Sequence, residues 1–444
     1  MDHPVVIEDL ARPRLPLPLR AFNAVARPFA RGRGLSLDAD RLVETARRKT
    51  GLEDLGDESF REGLHALVES IELDTRPTPL GRLISRELIV GLLANRLRLE
   101  DLIRRHPEIL DEEIDAPLVI AGLPRTGTTH LHNLVAQDPR IRSLPYWEAL
   151  EPVPADVEAA RRGQEPDPRI KRCDQAVRFT LLGLPMFPAM HDLGTHEKHE
   201  EIQLLAMDFR SMLFEVSYWA PTYRDWYMKQ DHTASYLYLR RALQALQWLR
   251  GPKRWALKSP QHLEQLGPLL AAFPDARVVQ THRDPVAVVA SLSTMVAYGY
   301  RLQLSEIDLA AHGEYWADRI AGMLAASVRD RGIVPERNVI DVHFHELAED
   351  EMAVVGRVHD LAGLDLTDEA RRAIDGYRTM HRKGRFGKVD YRLEAFGLEA
   401  DALRERLRFY QERFGVPSDD RQRRGSSSPA RPLRSEPLAA AAPH

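Results

Sequence analysis

Residues 122–129 read Gly122-Leu-Pro-Arg125-Thr126-Gly127-Thr128-Thr129 and directly follow the apolar run Leu118-Val-Ile-Ala121. This order predicts a strand, a glycine-bracketed turn and a helix that opens on two hydroxyls. The first N–H groups of a helix lack intrahelical partners and sit at the positive end of its dipole, so such a start attracts phosphate or sulfate. The Gly-x4-Gly spacing matches a P-loop, yet Thr128 stands where that loop carries its lysine, and a basic residue comes earlier, at Arg125.

Two further basic sites lie downstream. In Thr281-His-Arg283-Asp284-Pro285, Arg283 falls at the carboxyl end of an expected strand, Asp284 suits an N-cap and Pro285 the first helical position. Ser291 lies two turns along the same helix face, so a guanidinium and a hydroxyl can converge on one anion. In His381-Arg382-Lys383-Gly384-Arg385-Phe386-Gly387-Lys388, two glycines allow backbone N–H groups close to an anion that the cations neutralise. Each of these segments alone is compatible with a routine cap or a basic surface turn. Three together suggest a ligand carrying at least two separate phosphate-type groups.

The elements that must position these residues follow from periodicity. Residues 38–110 read as helical, with Leu80, Leu83, Ile84, Leu88 and Leu92 spaced by three and four. Strands are expected at 117–121, 254–257, 277–281 and 338–343, separated by helices at 128–137, 261–272, 286–297 and 305–331. Such alternation indicates a parallel α/β sheet of doubly wound type, whose ligands bind beyond the carboxyl ends of the strands. The expected organisation is an N-terminal arm (1–37), a helical extension (38–114), an α/β domain (115–416) with an insertion at 150–250, and a tail (417–444) too poor in large apolar residues to fold.

Pro124-Arg-Thr-Gly-Thr-Thr129, Arg283 with Ser291, and Arg382-Lys-Gly384 together resemble the three cofactor motifs of the sulfotransferase family. Leu257-Lys-Ser-Pro-Gln-His262 and Phe273-Pro-Asp-Ala-Arg277 are most similar to its bacterial branch. The resemblance runs from about residue 115 to 400. It implies a P-loop-like three-layer α/β fold with a central parallel sheet flanked by helices, here with an N-terminal helical extension, and 3′-phosphoadenosine 5′-phosphosulfate (PAPS) as sulfuryl donor. By resemblance Arg125, Thr126, Gly127, Thr128 and Thr129 hold the 5′-phosphosulfate, and Arg283, Ser291, Arg382, Lys383 and Gly384 the 3′-phosphate. Arg125 departs from the lysine of many cytosolic members, although protein-tyrosine members also use arginine there. A phosphosulfate carries less terminal charge than a triphosphate, so side-chain cations can replace a metal; no metal is expected.

Sulfuryl transfer needs an in-line acceptor and stabilisation of charge on the leaving oxygen. Arg125 and Lys258 are the candidates for that stabilisation, Lys258 standing at the strand end where cytosolic members keep a catalytic histidine. Three candidates compete as base. Glu148, in Pro145-Tyr-Trp-Glu148, occupies roughly the place of the catalytic glutamate of protein-tyrosine members and is the preferred one. His262 lies one turn beyond Lys258. The run His196-Glu-Lys-His199-Glu200-Glu201 reads foremost as a solvated helix face, then as acceptor-pocket lining, and last as a metal site. The insertion carries Phe179, Phe187, Met190, Phe209, Trp219 and Trp226 among other aromatics and methionines, which suggests a sizeable, partly apolar hydroxylated acceptor such as a lipid, sterol or glycolipid.

Bulk composition narrows the classes. A net charge of −4 gives no support for general nucleic-acid binding, and the single cysteine, Cys173, permits no intrachain disulfide. No signal peptide is read at Met1-Asp-His-Pro-Val, so a cytoplasmic enzyme is expected. Six arginines among apolar residues at 12–33 allow contact with an anionic membrane, a solvated arm being the blander reading. The competing functions are an atypical P-loop kinase or nucleoside triphosphatase, which the missing lysine opposes, and a non-catalytic nucleotide-binding protein. Nothing in the sequence reveals the oligomeric state.

Overall fold

The structure, a computed structural model, describes residues 6–30, 32–163, 166–381 and 389–419. Its centre is a five-stranded parallel sheet built from β1 (Leu118–Gly122), β2 (Ile141–Arg142), β5 (Arg254–Lys258), β6 (Arg277–His282) and β7 (Val339–His343), in the order β2-β5-β1-β6-β7. A separate antiparallel pair joins β3 (Leu144–Pro145) to β4 (Lys198–His199). β1 is central because its run of apolar residues leaves nothing to solvate. All five of its residues are buried, as both faces of a parallel sheet require. Its side chains alternate between two cores: Val119 and Ala121 face one, Leu118 and Ile120 the other. In register, Ile120 pairs with Lys258 and Gly122 with Thr281, so β1, β5 and β6 end at a common edge.

Helices flank the sheet as the alternation predicts. Thr128–Val135 follows β1, Pro285–Tyr300 follows β6, and Leu309–Asp330 precedes β7. Asp284 caps the second of these, accepting from the Val286 N–H at 3.0 Å with Pro285 in the first turn, an arrangement worth about 1 kcal/mol. The N-terminal helices Ala39–Thr50, Phe60–Ser70 and Pro79–Arg105 share one apolar core with the sheet, since Leu42, Leu64 and Leu93 belong to the same cluster as Val119, Leu257 and Val278. Buried Arg96 ties them together, donating to Leu55 O and Asp57 O (2.7 Å each) and stacking between Phe60 and Tyr238. Arg319, on the helix Leu309–Asp330, bridges Glu215 and Glu264 in a buried ion triad.

Three local expectations change. The helix expected at 261–272 is a 3-10 turn, Pro260–Glu264, then a helix, Leu266–Ala272, because Gln265 leaves helical geometry between them. Residues 196–201 are not a helix face. Lys198 and His199 pair with Pro145 and Leu144, and Glu197 O accepts from the Tyr146 N–H (3.0 Å), so the segment turns inward against β3. The two-residue edge strand β2 was too short to register as a periodic pattern. The tail from 420 onward lies outside the described residues.

Candidate active site

Between β1 and the following helix the chain approaches β6 closely. A Cβ on Gly122 would lie 1.9 Å from Thr281 Oγ1, so only glycine fits there. Thr126 Oγ1 sits 2.7 Å from Thr281 Oγ1 and donates to Leu123 O, which fixes the turn. Gly127, at φ +88°, caps the helix. Arg125 takes φ +71°, a left-handed backbone that costs an ordinary residue about 1–2 kcal/mol. Its side chain holds it there: Nε donates to Ser291 Oγ (2.9 Å), one terminal nitrogen to Met190 O and the other to Tyr391 Oη (3.3 Å). Burial, with Arg283 nearby, lowers the Arg125 guanidinium below its ordinary pKa.

This turn closes one end of a cavity of about 330 Å³. Arg125, Thr128, Thr129, His199 and Glu200 form the polar end; Ile84, Leu88, Leu184, Leu292, Met295 and Leu302 contribute to apolar walls. Lys258, 1% exposed, lies behind the polar end. Its Nζ donates to Thr129 Oγ1 (3.2 Å) and pairs with the Glu200 carboxylate. The peptide before it is anchored from below: Lys258 N–H donates to Glu201 Oε2 (2.9 Å), whose other oxygen meets His262 Nε2. A carboxylate only accepts, so Nε2 donates to it, and Nδ1 lies 2.8 Å from the Tyr236 hydroxyl. Burial pushes the Glu201 carboxyl up, but His262 and the Lys258 N–H outweigh it and hold it below the usual range. Two imidazoles, His191 and His199, line the cavity. Burial, then the charges of Lys258 and Arg125, bring His191 down to about 3. Burial and neighbouring His191 take His199 well below its usual value. Both are neutral near pH 7.

The structure therefore gathers Arg125, Thr128, Thr129, Lys258 and Ser291 around one point, and Thr126 and Gly127 shape it. Arg283 lies beside them, donating to Arg125 O (2.9 Å) and stacking on Phe344. Its remaining nitrogens pair with Asp419 (2.9 Å), whose N–H donates to Asp284. Ser291 is not spent on Arg283; it accepts from Arg125 instead. Arg382, Lys383 and Gly384 fall outside the described residues. Two candidates are held elsewhere. Glu148 is 3% exposed and clamped by Arg142 of β2 (2.9 Å) and Arg250 (3.5 Å), away from the cavity lining, because β3 turns its helix toward these two arginines. His262, fully buried, supports the strand end and does not face the cavity. The residue that sequence reasoning left inside a polar run is Glu200, the one carboxylate among the cavity's described lining residues. Asp341, on β7, meets His282 (2.9 Å) and Arg331 (3.3 Å). Among the described residues no three His, Cys, Asp or Glu side chains converge as a metal site.

The sulfotransferase family profile matches residues 117–368. Among solved structures, the chain is similar to sulfotransferase STF9 from Mycobacterium avium, at 29% identity over 86% of this chain and 98% of that one, with a TM-score of 0.77. It is similar also to sulfotransferase STF1 from Mycobacterium tuberculosis H37Rv, at 30% identity over 84% of this chain and 99% of that one, with a TM-score of 0.73. No curated protein matches.

Proposed function

The chain belongs to the sulfotransferase family, and on that premise we propose that it moves a sulfuryl group from PAPS to the hydroxyl of an apolar small-molecule or lipid acceptor. The observation that carries the reading is the meeting, at one end of an apolar cavity, of an anion-binding turn with the pair Lys258–Glu200. The turn suits a phosphosulfate. Glycines at 122 and 127 bring backbone close, the helix start at Thr128 offers free N–H groups, and Arg125 adds charge. Arg283 takes the 3′-phosphate side, with Ser291 acting through Arg125, and Arg382, Lys383 and Gly384 are assigned there by family motif.

Chemistry follows from the pair. Alone in the site, Lys258 and Glu200 satisfy each other, which avoids two uncompensated buried charges. A sulfate beside Thr129 offers Lys258 a second anion, and Glu200 becomes free to accept a proton. The acceptor hydroxyl lies in the cavity and gives its proton to Glu200 as its oxygen forms a bond to sulfur. The bond from sulfur to the phosphate oxygen breaks, and Lys258 and Arg125 balance the charge that collects on the bisphosphate leaving group. Glu200 replaces Glu148 as the base, and the two neutral imidazoles polarise the pocket without titrating near pH 7. The scheme needs no metal.

Calorimetric titration with 3′-phosphoadenosine 5′-phosphate, with and without magnesium and against ATP, tests the reading. Tight binding of the bisphosphate that ignores magnesium is expected. Preference for magnesium–ATP would return the first motif to the kinases.

A further inference from the structure

The helix Leu17–Ala26 and the 3-10 turn Arg27–Phe29 leave an apolar face without cover. Leu19 points inward at 5% exposure, while Leu17 (74%), Val25 (74%) and Phe29 (70%) stand in solvent. Leu17, Ala21, Ala24, Val25 and Pro28 recur at helical spacing, so the exposed apolar residues form one stripe and not scattered points. Arg20 and Arg27 flank the stripe, and with Arg14 they are exposed and make no ion pair among the described residues. Arg14 and Arg20 line a groove of about 490 Å³ together with Asn23, Thr78 and Ser305. A stripe of this kind bordered by unpaired cations matches the surface of a bilayer, apolar below and anionic at the headgroups.

The stripe is also continuous with the rim of the active-site cavity. Asn23 Oδ1 accepts from the Leu80 N–H at 2.8 Å, which fixes the helix on the start of Pro79–Arg105. Leu302 and Gln303 line the cavity, and the next two residues, Leu304 and Ser305, line the arginine groove. Gly183, whose added Cβ would meet Leu302 and Leu19, ends a helix that exposes Phe179 (41%) and Leu182 (46%) while Thr180 lines the cavity. We propose that this face docks on an anionic lipid bilayer, with Leu17, Val25 and Phe29 entering the headgroup layer and Arg14 and Arg20 receiving lipid phosphates. So seated, the cavity rim meets the membrane, and an apolar acceptor reaches Glu200 without crossing water. That delivery rests on the transferase reading; the docking does not.

Sedimentation of the full chain with vesicles of phosphatidylcholine, alone or mixed with phosphatidylglycerol, tests the proposal. Binding is expected to the mixed vesicles, falling as salt rises. The pair Val25→Ser with Phe29→Ser, and separately Arg14→Glu with Arg20→Glu, should each weaken it by at least about tenfold, with unchanged circular dichroism and unchanged titration by 3′-phosphoadenosine 5′-phosphate. Equal sedimentation of parent and variants would overturn the proposal. So would a dimer in gel filtration that the serine pair dissolves, or suppression of vesicle binding by soluble glycerol phosphate at low ionic strength. Loss of bisphosphate binding in the parent would instead count against the transferase reading, leaving the docking result to stand on its own.

Discussion

At one end of the cavity, Arg125, Thr128 and Glu200 hang from strand ends and a helix start; at the other, Leu88, Leu292 and Met295 come from two helices distant in sequence and Leu184 from the residue that ends a third. The polar end is crowded with compensated charge and fixed by hydrogen bonds to backbone. The apolar end has only shape. Electrostatic groups work on the transferring atoms when held to within a fraction of an ångström, whereas an apolar wall discriminates by volume. A change at the first end should therefore alter turnover, and a change at the second should alter which acceptor is taken.

The sharpest way to break this contrast is at the charged pair. Glu200→Gln and Lys258→Ala should each lower kcat about 10²–10³-fold while bisphosphate affinity, read by calorimetry, stays within a few-fold. Glu148→Ala supplies the control: it unpairs buried Arg142 and should cost stability, by about 3–5 kcal/mol in denaturant melts, with little change in kcat for the folded enzyme. A base at Glu148 would reverse these two results. At the apolar end, Leu88→Trp or Leu292→Trp should raise KM for a long-chain alcohol about tenfold and leave turnover of a short alcohol nearly intact. Unchanged KM would move the acceptor out of this cavity.

The smallest effect concerns the neutral imidazoles. The folded pKa of His191, about 3, lies below its ordinary 6.5, so below pH 6.5 the unfolded chain binds a proton that the folded chain refuses. Stability then falls as pH drops from 6.5 toward 3, by at most about 1.4 kcal/mol per pH unit for this group. His191→Gln should flatten the slope of melting free energy against pH by up to one proton. An unchanged slope would show that His191 is protonated in the folded state.

Legibility in the sequence followed the same division. The strand–glycine–helix turn at 122–129, the Asp284 cap and four of the five sheet strands could be read because each is a local pattern: apolar run, glycine, hydroxyl, proline. Glu200 could not, since its meaning comes from Lys258, 58 residues later, and from the pairing of β4 with β3 that turns its segment inward. Glu148 shows the reverse: its aromatic neighbourhood reads as a pocket wall in the sequence, while in the fold Arg142 and Arg250 close over it outside the cavity lining. The apolar walls were invisible as a site because Ile84 and Leu88 follow the same helical spacing as ordinary core.

Arg283 already holds a carboxylate, that of Asp419, five residues beyond Phe414, the last residue of the helix Ala400–Phe414. Any anion that takes Arg283 must first displace this resident. Its apparent affinity is then the difference between two occupancies of one guanidinium, so ligand binding at this arginine is an exchange and the chain's own carboxyl-terminal segment sets the zero from which it is measured.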